Sequence, residues 1–132
     1  MNLTLKSTFT KVAILTYVLG ASVHIARLVL GQSGDQMPNI AHWIVTILTS
    51  FAGLGFFVYR KQIPFKNLFD KIVYWLILVH LISSALMHAY SIIWNTNEWL
   101  TVFSYSYSYF AVAYFVIFGY YSFKLDKRLR SI

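Results

Sequence analysis

Four long apolar runs, separated by short polar or charged segments, set the pattern of the chain. They extend from about Val12 to Leu30, Trp43 to Tyr59, Ile72 to Trp94 and Leu100 to Phe123. Each approaches the ~20 residues with which an α-helix crosses ~30 Å of hydrocarbon, the second being the shortest. A bilayer interior tolerates no unpaired backbone polar group, and these runs lack the alternation of barrel strands, so helix is the expected form. The segments between them, GQSGDQMPN, RKQIPFKNLFDK and NTNE, carry turn formers or charge. The pattern predicts an all-α fold: a polytopic membrane protein whose residues 1–132 form a single four-helix transmembrane bundle.

Composition agrees with this. Of 132 residues, 58% are apolar and only 11% charged, under half the ~25% charged residues of an ordinary soluble domain. A soluble chain of this size has too little interior to hide so much apolar surface. The formal charge of +7 would suggest nucleic acid on a soluble fold, but here the basic residues fall in the gaps between apolar runs, so no nucleic-acid partner is expected. Cysteine is absent, which excludes disulfides, thiolate metal sites and cysteine nucleophiles.

The charges also orient the chain. Lys6 and Lys11 precede the first run, Arg60, Lys61, Lys66 and Lys71 bracket the loop between the second and third, and Lys124, Lys127, Arg128 and Arg130 follow the fourth. Basic residues concentrate on cytoplasmic flanks, so both termini are expected in the cytoplasm, in a membrane of the bacterial inner type. Trp43, Trp94 and Trp99 mark the outer interface and Trp75 lies near the inner one. The first run continues through His24 and Arg27 to Leu30, which favours a retained span over a cleaved signal.

Each run carries one polar or small stripe at helical spacing. The stripes are Thr16, Gly20, His24 and Arg27; His42, Thr46, Thr49 and Gly53; His80, Ser84 and His88; and Thr101, Ser104, Ser108 and Ala111. In lipid such faces turn toward other helices, so they should line the bundle and be shielded from lipid, with Leu15, Leu30 and Leu78 as candidates for lipid- or protein-contact surfaces. Histidines and an arginine inside spans are costlier than hydroxyls and point to a site. His24 and His88 should both lie ~9 Å below the outer boundary, with His42 at that boundary and His80 ~12 Å deeper than His88.

Three readings follow from this constellation. His24 and His88 could ligate a b-type haem from two helices, with Arg27 pairing a propionate. In the same class, a divalent metal could take His24, His42 and His88, with Asp35, Glu98 or water completing a tetrahedron. The second reading is a metal-free pocket or conduit for a quinone, a lipid headgroup, a small anion or protons, with His80 and Ser84 as a secondary polar stripe. The third is an accessory subunit whose histidines hold helices together, with membrane lipid, a membrane-protein partner or a second copy outside. No phosphate loop, GxSxG, HExxH or intramembrane carboxylate pair is present, so no enzyme class is indicated.

Overall fold

A computed structural model describes residues 3–31, 37–102 and 106–132. It contains four helices: α1 (Leu3–Leu30), α2 (Asn39–Tyr59), α3 (Leu68–Trp94) and α4 (Tyr107–Arg130). Short 3-10 turns at Arg60–Gln62 and Glu98–Val102 follow α2 and precede α4. Among the described residues there is no strand. Helix ends follow local chemistry. Gly31 ends α1 at φ +67°, a conformation free of Cβ strain. The Asn67 side chain caps α3 by accepting the Asp70 N–H at 2.8 Å, and Asn95 closes it in the left-handed region at φ 48°. Lys127, Arg128 and Arg130 fill the last turn of α4, where cations complement the helix dipole.

α1 packs along both α4 and α2, and α2 along α3, while α3 and α4 approach each other at few backbone positions. The helices therefore run in the order α4, α1, α2, α3, with α1 and α3 on a diagonal. Close approach of α1 and α2 depends on Gly55, where a Cβ would come within 2.6 Å of Phe9 Cγ. Gly20 serves α1 and α4 in the same way against the Phe115 ring, with a Cβ 2.7 Å from its Cε2. Gly53, in the expected α2 stripe, faces Leu81 and Ile82 of α3.

Among the described residues, three stretches are long and apolar enough to cross a membrane: Ser7–Leu30, Asn39–Gln62 and Leu68–Trp94. Apolar side chains cover the outside, among them Leu15, Leu30, Leu54, Val79, Leu86 and Ile117. His42, Thr49, Ser91, Ser108, Ser122 and Asp126 are buried instead. That inversion suits a chain whose exterior meets hydrocarbon. The expectation for Leu78 is overturned: it is 2% exposed, because it packs in the core cluster with Tyr74, Ile77 and Leu81.

The apolar core occupies only one half of the bundle. Its members are Phe9, Ala13 and Tyr17 of α1, Ala52 and Phe56 of α2, Ile63 of the following loop, Val73, Tyr74, Ile77, Leu78 and Leu81 of α3, and Leu125 and Leu129 of α4. All lie toward the end that carries the basic residues. Two carboxylates cap this half. Asp126 accepts from Thr10 at 2.6 Å, from Ser7 at 3.2 Å and from the Arg130 guanidinium, tying α4 to α1. Asp70 takes a bidentate pair from Arg128 at 2.6 and 3.1 Å and the Lys66 N–H at 2.8 Å, tying α3 to α4. Hydrogen bonding to Asp70 holds the Arg128 guanidinium above its ordinary pKa, against the opposing pull of partial burial.

Candidate functional site

The other half of the bundle is built around polar side chains. His42, in the first turn of α2, is 2% exposed. Its Nδ1 lies 2.8 Å from His88 Nδ1 on α3, and its Nε2 lies 2.6 Å from Asn97 Oδ1. Asn97 in turn donates through Nδ2 to the Met37 carbonyl at 3.0 Å, which orients the amide and leaves Oδ1 as acceptor. Protonation follows from these contacts. With both rings neutral, His42 carries its proton on Nε2, so its Nδ1 accepts. His88 must then donate from Nδ1, and its Nε2 keeps a lone pair outside the chain of bonds. The edge of the His88 ring meets Trp99, with centroids 5.3 Å apart, and the Trp99 indole N–H donates to Ser91.

His24 occupies the neighbouring corner. Its Nδ1 lies 3.0 Å from the Ser108 hydroxyl of α4, and its ring packs against Phe115 at 5.4 Å and Tyr107 at 6.0 Å. Arg27 sits half-buried one turn farther along α1. Thr46 lies one turn below His42, and its buried hydroxyl has no hydrogen-bond partner among the described residues.

Beneath this region an aromatic layer crosses the bundle. Tyr17 of α1 and His80 Nδ1 of α3 meet at 3.1 Å along the diagonal. Tyr114, Phe115 and Phe118 of α4 surround the His80 ring at 5.3 to 5.9 Å. His80 is thus part of the floor, separated from the outer pair as its depth in the sequence indicated. Ser84, its stripe neighbour, is half-buried.

At the opposite extreme the region opens. A cleft of about 160 Å³ is lined by Met37, Asn39, His42, Ser91, Asn95, Thr96 and Asn97. Amides and hydroxyls dominate it, and His42 links it to His88.

The structure brings together His42 with His88, and His24 with Ser108. It does not gather His24, His42 and His88 into a metal site: no group of three His, Asp or Glu side chains is placed to hold an ion among the described residues. His42 meets His88 and Asn97, whereas His24 meets Ser108. Asp35 and Ser104 lie outside the described residues, as does the side chain of Thr101. Glu98 is exposed. Asn97 is the residue that spacing alone did not single out, because it follows the third apolar run in a loop. Tyr17 was also missed; an aromatic in an apolar run carries no distinguishing signal.

No protein-family model, curated protein or solved structure matches the chain.

Proposed function

We propose that this is a four-span integral membrane protein, with both termini cytoplasmic, that receives a small polar or anionic ligand in the outer half of its bundle without a metal. The supporting observation is the division of the interior. An apolar core with ion-paired carboxylates fills the basic end, whereas the other end holds the His42–His88 pair and a polar cleft that opens away from it. In this reading α4 makes the fourth crossing. The basic flanks then face the cytoplasm and the cleft faces outward. Arg27 supplies attraction for negative charge, His88 Nε2 and Thr46 supply an acceptor and a hydroxyl, and the aromatic floor closes the way inward. The protein is then a binding or sensing component rather than a passage.

Trp99 reports on this site because it touches both His88 and Ser91. Adding acetate to the outer buffer should produce a saturable change in Trp99 emission, measured as the difference from Trp99→Phe, and His42→Phe should abolish it. A response that rises linearly without saturation, or none, contradicts the proposal.

A second reading is favoured by how the imidazoles are held. His24 and His88 each engage a neighbour through Nδ1, the way axial ligands are steadied while Nε2 faces iron. A b-type haem between α1 and α3, with Arg27 near a propionate, would use that arrangement. Haemin added to the protein should then give a Soret band that His24→Ala and His88→Ala each weaken and His80→Ala leaves in place. Absence of such a band removes this reading.

A further inference from the structure

A second feature lies on the outside of α3, at the basic end. Leu68, Lys71, Ile72, Trp75, Leu76 and Val79 line an open groove of about 320 Å³. These positions recur at three- and four-residue intervals on one face. Trp75 is 40% exposed, Leu76 52% and Val79 59%. From Lys71 to Val79 the groove follows the helix for ~12 Å, most of one ~15 Å leaflet. Its chemistry is graded: one ammonium a turn in from the start of α3, an indole one turn below, and aliphatic side chains beyond.

The charge at the head of the groove meets no counter-charge among the described residues. Both acids at this end are already paired, Asp70 with Arg128 and Asp126 with Arg130. Lys71 therefore has no carboxylate to meet among the described residues. Three other cations at this end lie over aromatic rings: Arg60 on Phe57, Lys124 on Tyr120 and Lys127 on Phe123. Such placement keeps the charges at the headgroup level while their stems cover apolar surface. The end as a whole favours negative charge, and the groove adds a track for a hydrocarbon chain.

We propose that this groove is a binding site for one anionic phospholipid of the adjacent leaflet. The phosphate pairs with Lys71, the Trp75 indole lies at the glycerol level, and an acyl chain runs over Ile72, Leu76 and Val79. A second copy of the chain or a partner helix would cover the apolar part but leave Lys71 unneutralised, so the lipid accounts for more of the surface. The site is separate from the histidine region and stands whether or not that region binds a ligand.

Trp75 provides the test. The protein is reconstituted in phosphatidylcholine vesicles containing a minor fraction of brominated phosphatidylglycerol or, separately, the same fraction of brominated phosphatidylcholine. Subtracting the signal of Trp75→Phe isolates the quenching of Trp75. Quenching by the anionic lipid should be stronger, and Lys71→Gln should lower the apparent preference about fivefold, as expected for one lysine at a charged surface. Lys61→Gln removes the same formal charge outside the groove and should preserve most of the preference. Equal quenching by the two lipids overturns the proposal, as does equal loss of preference in both lysine variants. A Trp75 that neither lipid quenches overturns it too, and shows the groove covered by protein.

Discussion

Replacing His42 with leucine removes a ring that holds two other groups in place. His88 Nδ1–H and Asn97 Oδ1 both lose their partner, and each buried unsatisfied group costs about 1–3 kcal/mol. Asn97 is half-buried beside the cleft and can recover water, so most of the loss falls on His88. The expected destabilisation is about 2–4 kcal/mol. His88→Leu orphans only His42 Nδ1 and should cost about 1–3 kcal/mol. In the double variant the broken bond is counted once, so the two changes should fall short of additivity by about 1 kcal/mol. That exceeds the ~0.6 kcal/mol average for interhelical bonds in a bilayer, because His42 is almost fully enclosed. Reversible unfolding in mixed micelles, measured for all four proteins, gives this coupling. Additive effects within about 0.3 kcal/mol would show that the two rings do not bond, and the tautomer assignment for His88 would fall with them.

Other substitutions test the frame around the site. Gly55→Ala should destabilise the bundle by about 1–3 kcal/mol through its clash with Phe9, and pairing it with Phe9→Leu should recover part of the loss; unfolding in the same micelles checks both. Arg128→Gln leaves Asp70 with only hydrogen-bond donors and should cost about 3 kcal/mol, whereas Lys127→Gln, measured alongside, should change stability little. Thr10→Val removes the shorter hydroxyl bond to Asp126 and should lower stability by about 1–3 kcal/mol, with Thr10→Ser retaining most of it.

Apolar run length anticipated the middle of each helix better than its ends. α1 begins at Leu3 rather than near Val12 and α3 at Leu68 rather than Ile72, while α4 spans Tyr107–Arg130 rather than Leu100–Phe123. Charged residues end a hydrophobic run without ending a helix, and here Asp70–Arg128 and Asp126–Arg130 make the extensions part of the packed structure. Periodicity also anticipated the buried stripes: His42, Thr49, Gly53, Ser108 and Ala111 are all enclosed. It could not assign partners. Helical spacing tells which residues share a face, but the choice of His42 for His88 and of Ser108 for His24 depends on helix order and rotation. Leu78 shows the limit from the other side: α3 contacts more than one neighbour, so its buried arc is wider than its polar stripe. Gly55 escaped notice because nothing local distinguishes a glycine that admits a phenylalanine from one that merely fits.

Access to each half of the interior tests the account most directly, and the natural absence of cysteine makes the measurement clean. Single cysteines are introduced at Asn95 beside the cleft, at Phe56 in the apolar core and at Ile132, then exposed to a membrane-impermeant maleimide from either side of sealed vesicles. Labelling is expected of Asn95→Cys from the outside alone, of Ile132→Cys from the cytoplasmic side alone, and of Phe56→Cys from neither. Labelling of Phe56→Cys from either side would reveal water in the apolar half. Labelling of Asn95→Cys and Ile132→Cys from the same side would contradict an outward-facing site in a four-span bundle.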